Sequence, residues 1–474
     1  MDTIWSADLM EGDGPKYAMV ASGIRRAISD GRLKEGVKVP PVRELAWTLG
    51  ITPGTVARAY TVLTDEGVLQ ARVGRGTFVA PPQSHAPLFH DVPIEVDVVS
   101  HNAHNAQDPT DPINLFSPHL PNAGQAHLIR QLLGEVAQEP PSGMMHYPTR
   151  SGSRAAREAA CVWLEGVPLG KLRQDDIVFA HGGQNAIMLV FQALLRGRRP
   201  AVLVEELAYP GFRRAAELLR ADVIPVAMDA HGVIPEALDA AARAHDAQIF
   251  CTSPEVHNPT CGFTPTDRRA ALVQVARKHD LSILEDDCYR IGQAQAESYR
   301  MLAPERAWYV SSISKSLTPA LRVGMIVAPE GQGHITRRTA EYSFFGLATP
   351  LTDLCAKLFA HPRLPELVQG VQDGIGRYVR ASVNILGGYD LSWREDVPFL
   401  WLRLPDGWRA SGFVQAAEAA GVRIRAAEEY ACRDARVPHA VRFAVNAGIS
   451  LKDYEVAMLR LRELLDNPPE RIGV

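Results

Sequence analysis

The stretch SSISKSLTPALRVG, residues 311–324, decides the fold of the larger part of this chain. It begins within an apolar run, AWYVSS at 307–312, that is typical of a buried strand. Lys315 and Arg322 stand among hydroxyl side chains just beyond that run. Ligand sites of α/β sheets gather outside the carboxyl ends of the strands. The stretch therefore predicts that Lys315 lies in a ligand site at the edge of such a sheet.

Other apolar runs precede this stretch, and helix-like segments follow the first three of them. The runs are DIVFA at 176–180, AVLVEE at 201–206, AQIFCTS at 247–253 and SILEDD at 282–287. Alternation of this kind predicts an α/β domain with a mainly parallel sheet. We expect this domain to occupy residues 112–474 and to end in a smaller α+β lobe.

The positions just beyond these runs carry polar and aromatic side chains. They are the HGGQNA turn at 181–186, Tyr209, Asn258, Asp286 with Tyr289, and Lys315 with Arg322. Taken singly, a glycine-rich turn or a buried aspartate is more often structural. Together, these residue types suit a phosphorylated aromatic aldehyde, because lysine forms a Schiff base, a carboxylate holds a pyridinium proton and arginine neutralises phosphate. The set predicts pyridoxal phosphate as the cofactor.

The first eighty residues have a different character. Apolar periodicity with glycine and proline at the boundaries predicts three short helices at 17–31, 40–50 and 51–67. The expected buried faces are formed by Met19, Ile24 and Ile28 in the first helix and by Val56, Tyr60 and Leu63 in the third. Thr52 suits the N-cap of the third helix and Pro53 its first position. The last two helices, joined by a tight turn, are a helix-turn-helix candidate.

A hairpin is predicted directly after these helices. Two strand-like runs flank Gly74-Arg75-Gly76, so the tip would present an arginine. Basic residues outnumber acidic ones in this region, although the whole chain has a formal net charge of −4. A small helical bundle with ordinary surface charge is one interpretation, and a DNA-binding domain is the other.

The segment 30–79, from DGRLKEG through RELAWTLGITPGTVARAY to VGRGTFV, resembles the winged helix-turn-helix of GntR-type transcription regulators over nearly its full extent. In that family the arginine of the RELA segment, residues of the third helix and the glycine-flanked wing contact DNA. The resemblance therefore implies DNA contacts from Arg43, Thr52, Thr55, Arg58 and Arg75.

The part from residue 112 onward resembles a fold type I aminotransferase, because its SxSK, NPT and Asp-x-x-Tyr segments occur in the family's order. The resemblance implies that Lys315 is the Schiff-base lysine and Asp286 the partner of the pyridine nitrogen. It implies cofactor contacts from Tyr147 of a neighbouring subunit and from Gly183, Gln184, Tyr209, Asn258, Tyr289, Ser312 and Arg322. Arg442 would bind a carboxylate of the effector or substrate, although a surface salt bridge is an alternative for it. Asp286 could instead be a helix N-cap.

The two resemblances together are those of the MocR-type regulators and cover almost the whole chain. We expect a winged helix-turn-helix domain at 13–81, a linker at 82–111 and the aminotransferase-like effector domain at 112–474. The family implies a homodimeric transcription regulator that binds double-stranded operator DNA and senses an amino compound through an external aldimine with pyridoxal phosphate.

Two other functions stay open on the sequence. A functional aminotransferase with an accessory DNA-binding domain is one, because all groups needed for amino-group transfer are present. A domain that responds to pyridoxal phosphate itself is the other. The winged helix favours regulation, since it has no role in the transamination of small molecules.

The composition narrows the class of protein. A hydrophobic fraction of 46% and a charged fraction of 22% are those of a globular protein. The apolar runs are too short to span a membrane, the start carries no secretory pattern, and six cysteines lack CxxC spacing. We therefore expect a cytoplasmic protein with reduced thiols and without a metal site, His101 and His104 being linker residues.

Overall fold

The computed structural model describes residues 14–72, 76–80, 112–139, 145–433 and 435–469. The chain divides into two compact units, Met1–Val98 and Val99–Val474. The predicted linker at 82–111, with His101 and His104, lies outside the described residues, so its boundaries stay a prediction.

The smaller unit consists of three helices and a hairpin. Its elements are α1 (Lys16–Ser29), α2 (Val42–Thr48), α3 (Pro53–Asp65), β1 (Leu69–Arg72) and β2 (Gly76–Val79). The two strands are antiparallel, with Leu69 opposite Val79. This is the predicted winged helix-turn-helix.

The turn between α2 and α3 forms for local reasons. Gly50 follows the last turn of α2 at φ +62°, a backbone conformation that favours glycine. Thr52 is the N-cap of α3, and its hydroxyl accepts a hydrogen bond from the backbone N–H of Thr55. Pro53 occupies the first helical position, where its missing N–H costs nothing. Both predictions for this helix start are confirmed.

The core of the smaller unit lies between the helices. Val56, Tyr60 and Leu63 of α3 are buried, as predicted. On α1 the buried stripe is centred on Val20, Ile24 and Ala27. Met19 and Ile28 are only half-buried, so the predicted face of α1 lay at the edge of the true one.

The larger unit is built on a seven-stranded sheet. Its strands in chain order are β4 (Ile177–Ala180), β5 (Ala201–Glu205), β6 (Asp222–Val226), β9 (Ala247–Thr252), β10 (Ser282–Asp286), β11 (Ala307–Ser312) and β12 (Gly324–Val327). The spatial order is β4-β12-β11-β10-β9-β5-β6. The pairs from β6 through β11 are parallel, and β12 is antiparallel to both its neighbours. The carboxyl ends of six strands therefore meet at one edge, as the α/β prediction requires.

Helices cover this sheet and connect its strands. They are α4 (Gln125–Gln138), α5 (Arg154–Trp163), α6 (Gly182–Leu194), α7 (Pro210–Leu218), α8 (Pro235–Ala244), α9 (Thr266–Lys278), α10 (Tyr299–Leu302), α11 (Gly333–Phe344), α12 (Thr349–Phe359) and α13 (Leu364–Leu386). Strands β4, β5 and β11 are buried along their whole length, which is typical of a covered parallel sheet.

A smaller α+β lobe follows, as predicted. Its elements are β13 (Leu391–Ser392), β14 (Phe399–Arg403), α14 (Ala410–Ala419), β15 (Val422–Arg423), β16 (Arg425–Ala426), β17 (Ala440–Ala444) and α15 (Leu451–Asp466). Strands β13, β14, β17 and β16 form one antiparallel sheet. Strand β3 (Ile113–Asn114), near the start of the larger unit, pairs with β15. The short strands β7 (Met228–Asp229) and β8 (Gly232–Val233) pair with each other.

None of the described helices combines the length and the apolar composition that a membrane crossing requires.

Candidate functional site

The predicted site residues lie at the carboxyl ends of neighbouring strands. Asp286 is the last residue of β10, and Ser312 is the last residue of β11, which pairs with β10. Lys315 follows three residues after β11 ends. The strand ends therefore place the lysine, the hydroxyl and the carboxylate at one edge of the sheet.

Lys315 and Tyr289 lie close together at this edge. The Lys315 Nζ is 5.4 Å from the centroid of the Tyr289 ring. Burial alone raises the pKa of the Tyr289 hydroxyl, but the positive charges of Lys315 and Arg442 outweigh it and the net pKa is lowered. The phenol is therefore better prepared to carry negative charge than an ordinary tyrosine.

Asp286 is a buried carboxyl group. Its Oδ1 accepts a hydrogen bond of 3.1 Å from the backbone N–H of Cys288. Burial raises the pKa of Asp286 to about 6, although the hydrogen bonds from Cys288 oppose the shift. Asp286 ends a strand and caps none of the described helices, so the N-cap alternative is wrong.

The turn after β4 makes a closely packed cradle at the start of α6. A methyl group on Gly182 would lie 2.7 Å from the Nη2 of Arg322, and one on Gly183 would lie 2.5 Å from the Sγ of Cys288. A side chain on either glycine would therefore displace Arg322 or Cys288, and Gly182 also adopts φ +81°, a backbone conformation that favours glycine. Free backbone N–H groups at this helix start face the same region as the Arg322 guanidinium, which is a suitable arrangement for an anion.

Gln184 and Tyr209 come together near the start of α7. The Nε2 of Gln184 donates a hydrogen bond of 3.0 Å to the carbonyl of Gly211, and the Tyr209 ring packs against the same glycine. Burial raises the pKa of the Tyr209 hydroxyl, and the nearby Tyr289 and Asp286 add to the shift. Tyr209 is therefore a neutral phenol next to the other site residues.

Asn258 lies beyond the end of β9 and is 3% exposed. Its Oδ1 is buried and has no hydrogen-bond partner among the residues that the structure describes. The preceding residue, His257, is fixed from both sides, with its ring nitrogens 2.6 Å from the hydroxyl of Thr260 and 2.9 Å from the carbonyl of Leu207. The turn is therefore held in place by His257, whereas the Oδ1 of Asn258 still lacks a hydrogen-bond donor.

Arg442, on β17 in the C-terminal lobe, is 2% exposed. Its guanidinium donates to the hydroxyls of Tyr289 (3.3 Å) and Tyr430 (3.1 Å) and to the carbonyl of Phe116 (3.1 Å). It also lies 4.1 Å from the ring centroid of Phe399. Within the described residues no carboxylate pairs with it, so the surface salt bridge alternative is wrong.

Tyr147 takes a different position. It is 74% exposed, and its ring stacks on Phe345 with the ring centroids 4.9 Å apart. Met145, Tyr342 and Phe345 are also exposed. The structure thus places Tyr147 in an exposed apolar patch and not against Lys315 of the same chain.

Sequence reasoning missed three contributors to the site. Cys288 fills the space between Gly183 and Asp286, while Tyr430 and the backbone of Phe116 hold Arg442. Cys288 lies between two predicted residues in the sequence, which is a signal that could have been used. Tyr430 and Phe116 carry no comparable signal, because their contacts depend on pairing between distant segments.

Among the predicted DNA-binding residues, Arg43 lies on α2, Thr52 is the N-cap of α3, and Thr55 and Arg58 lie on α3. Arg43, Thr52 and Arg58 are exposed, and the Arg58 guanidinium lies 4.2 Å from the centroid of the Tyr17 ring. The hydroxyls of Thr52 and Thr55 are 2.9 Å apart. Arg75 lies outside the described residues. Because the Thr52 hydroxyl already caps α3, the two arginines are the freer groups for contacting DNA.

The described residues contain no group of three or more histidine, cysteine, aspartate or glutamate side chains that could hold a metal ion.

Comparisons with known proteins match both units. Residues 111–461 match the family "aminotransferase class I and II", and residues 16–79 match "bacterial regulatory proteins, gntR family". The chain is 27% identical to the uncharacterised HTH-type transcriptional regulator YdeF of Bacillus subtilis, over 98% of this chain and 97% of the relative. It is 25% identical to a probable rhizopine catabolism regulatory protein, MocR, of Rhizobium meliloti, over 73% of each chain.

The fold of the larger unit matches solved structures. An archaeal alanine:glyoxylate aminotransferase superposes with a TM-score of 0.67 and 20% identity, covering 77% of this chain and 92% of that one. At this identity the likeness shows the fold alone. The family matches go further: the chain belongs to the aminotransferase class I and II family and, with its gntR-family domain, to the MocR-type transcription regulators.

Proposed function

We propose that this protein is a transcription regulator that holds pyridoxal phosphate in its larger unit, senses an amino compound there and binds double-stranded operator DNA with its smaller unit. One observation carries the proposal. A single chain joins a winged helix-turn-helix to a site in which Lys315, Asp286, Tyr289 and Arg442 are buried or half-buried together.

Unpartnered polar atoms test whether the site fits the cofactor. Within the described residues, the buried Gln184 Oε1, Asn258 Oδ1, Ser314 Oγ and Arg442 Nε have no hydrogen-bond partner. Such atoms are rare in folded proteins because each costs free energy. All four belong to segments of this site, so a polar ligand would complete them. The residues present therefore fit pyridoxal phosphate.

The base of the site would hold the cofactor ring. When bound, pyridoxal phosphate supplies an aldehyde that bonds covalently to an amine and a ring that withdraws electrons. Lys315 would provide the amine, and the buried Asp286 carboxylate would hold a proton on the ring nitrogen. Tyr289, whose pKa is lowered, and Asn258 would hydrogen-bond the ring oxygen, and Tyr209 would stack on the ring.

The phosphate would lie at the start of α6. Backbone N–H groups of Gly183 and Gln184 suit an anion there, and the guanidinium of Arg322 packs against Gly182. Ser312, at the end of β11, would add a hydroxyl. A side chain on Gly182 would displace Arg322, and one on Gly183 would displace Cys288, so the glycine pair keeps this arrangement.

Arg442 would bind the carboxylate of the amino compound. Its present partners are two neutral hydroxyls and a carbonyl, and a carboxylate would form stronger, charge-assisted bonds with the same fork of donors. Binding can shift the protein between conformations only if the amino compound prefers one of them. The hydrogen bonds from Arg442, in the C-terminal lobe, to Tyr289 and Phe116 supply a place for that preference.

The proposal extends to assembly and location. Tyr147 lies in an exposed apolar patch, which supports a homodimer in which it reaches the cofactor phosphate of the neighbouring subunit. A C2 dimer would also present two DNA-binding units to a palindromic operator. Such a regulator would work in the cytoplasm, where the bacterial chromosome lies.

The test is a titration of the purified, cofactor-loaded protein with a panel of amino acids and amines. The absorbance of the cofactor and the DNA footprint are followed together. We expect one compound to change the absorbance lastingly and the footprint with it, without release of a keto acid. A protein that neither binds the cofactor nor protects DNA would contradict the proposal.

A second candidate is a functional aminotransferase. Lys315 would act as a general base, and the amine, the carboxylate and the phenol that amino-group transfer needs lie at or after the ends of strands of the large sheet. Sustained amino-group transfer to a keto acid in the same titration would support it. A footprint that responds to pyridoxal phosphate alone would instead support a sensor of the cofactor.

A further inference from the structure

A second group of cations in the larger unit lines a cavity that the proposed function does not use. The cavity has a volume of about 70 Å³, and its lining includes Arg150, Ser153, Arg157, Arg337, Glu341 and Phe345. We call it the arginine cavity. Its residues come from the segment after Tyr147, from α5 and from α11.

Arg157 is the most informative member. Its side chain is 5% exposed. The Nη1 donates to the Arg150 carbonyl (2.9 Å) and the Ser153 hydroxyl (2.6 Å), and the Nη2 donates to the Gln174 Oε1 (3.2 Å). The Nε is buried and has no partner among the described residues. A buried charged donor without an acceptor calls for a ligand that supplies one.

The charge around the arginine cavity is positive. The three guanidinium groups lie near the carboxylates of Glu341 and Asp175, and Asp175 is already paired with Arg150 across 2.9 Å. The Oδ1 of Asp175 lies 3.9 Å from the Nη2 of Arg157. Glu158 and Asp176 also act on the cluster, but they are paired with Arg154 (2.8 Å) and Arg300 (3.3 Å). Burial lowers the pKa of Arg157, and the neighbouring charge of Arg337 lowers it further. The carboxylates present therefore do not neutralise the cluster.

We propose that the arginine cavity is a binding site for a small oxyanion, with inorganic phosphate as its representative, separate from the cofactor site. Guanidinium groups bind such anions through paired, charge-assisted hydrogen bonds. The volume admits a group of a few heavy atoms. The Nη2 of Arg337 already donates to the carbonyl of Asp175 (2.7 Å). The remaining donors of Arg337, the guanidinium of Arg150 and the unpartnered Nε of Arg157 would bind the anion.

The position of the cavity suggests what the anion would do. Arg150 lies three residues after Tyr147, and Arg337 lies on α11, which ends next to Phe345. Tyr147 and Phe345 stack on each other. An anion bound by both Arg150 and Arg337 would therefore link the segment that carries Tyr147 to the helix that precedes Phe345. The consequence for the neighbouring subunit's cofactor rests on the proposed function, whereas the anion site does not.

The test is calorimetric titration of the full-length protein with inorganic phosphate, against chloride at equal ionic strength. The protein is first saturated with pyridoxal phosphate, so that free phosphate does not report on the cofactor site. Arg337→Gln and Arg150→Gln are compared with the wild type. Arg338→Gln is the matched control, because Arg338 is the exposed neighbour of Arg337 and does not line the cavity.

We expect saturable phosphate binding in the wild type and in Arg338→Gln, and binding about tenfold weaker or more in the other two variants. No binding to the wild type, or equal binding to all four proteins, would overturn the proposal. The titration is repeated without pyridoxal phosphate, effector or DNA. Dependence on Arg337 there would support the anion site even if the proposed cofactor failed to bind.

Discussion

The guanidinium of Arg442 donates a hydrogen bond of 3.3 Å to the hydroxyl of Tyr289, which joins the C-terminal lobe to the carboxyl edge of the large sheet. The two residues are 153 positions apart in the chain. The same tyrosine lies next to Lys315. One phenol therefore contacts both the expected carboxylate-binding arginine and the expected cofactor lysine.

Replacing Arg442 with lysine keeps the charge but removes the planar fork of donors. We expect an effector that carries a carboxylate to bind about tenfold to a hundredfold more weakly, since a hydrogen bond to a charged group contributes about 1.5–3 kcal/mol. Cofactor content should stay the same. Absorbance titration measures both, and Arg403→Lys, at an exposed position on β14, is the control. Equal loss of cofactor and effector would indicate a structural role.

Lys315→Ala should abolish covalent attachment of pyridoxal phosphate, because no other amine would replace the lost one at the end of β11. Borohydride reduction followed by mass spectrometry measures the attachment. The circular dichroism spectrum should not change, since Lys315 is only half-buried. Lys452→Ala, at an exposed position on α15, should retain the adduct. An adduct that persists in Lys315→Ala would show that the assigned lysine is wrong.

Arg43→Ala should weaken binding to operator and to random duplex DNA by similar factors, because a phosphate contact carries little sequence information. The slope of log affinity against log salt should fall by about 1. Fluorescence anisotropy at several salt concentrations measures both. Arg25 is a suitable control residue, since it is paired with Glu66 at 2.7 Å. If Arg25→Ala and Arg43→Ala had the same effect, a specific role for Arg43 would be excluded.

The free energy of unfolding should depend on pH in a way that shows the titration of the Asp286 carboxyl group. Its pKa is raised from 3.8 to about 6 in the folded protein, so the folded state keeps the proton to higher pH than the unfolded state does. The protonated Asp286 carboxyl group makes its full contribution to the free energy of unfolding below pH 4. This contribution is lost as the pH rises through 6. For the cofactor-free protein the loss is about 3 kcal/mol.

Urea denaturation at pH 4, 5, 6 and 7 tests this effect in the cofactor-free wild type and in Asp286→Asn. The asparagine variant should lack the part of the decline that belongs to this carboxyl group. Glu285, whose pKa is raised to about 8 mainly by burial, contributes a separate decline at higher pH in both proteins. Identical profiles for the two proteins would contradict the assignment.

Much of the site was predictable because strand order and strand ends are local properties of the sequence. The apolar runs that end at Asp286 and Ser312 are strands in the structure, and the residues beyond them meet at one edge. The N-cap at Thr52 was equally local. Each of these predictions needed only a few neighbouring residues.

The rest depends on contacts between distant segments. The carbonyl of Phe116 and the hydroxyl of Tyr430 hold Arg442, and no periodicity or motif signals that pairing. The burial of Arg157 beside Arg337 likewise depends on the packing of α5 near α11. On α1, the rotation of the helix against its neighbours decided that Val20 and not Met19 is buried.

The packing of glycines at the start of α6 restricts how this protein can diverge. A methyl group on Gly324 would lie 2.5 Å from the carbonyl carbon of Gly182, and Gly182 itself adopts φ +81°. At Gly324 a side chain would meet backbone, and at Gly182 the backbone conformation itself favours glycine, so a substitution at either position would disturb the anion cradle. A change of ligand preference is therefore expected around Arg442 and Tyr430, where side chains and not backbone atoms make the contacts.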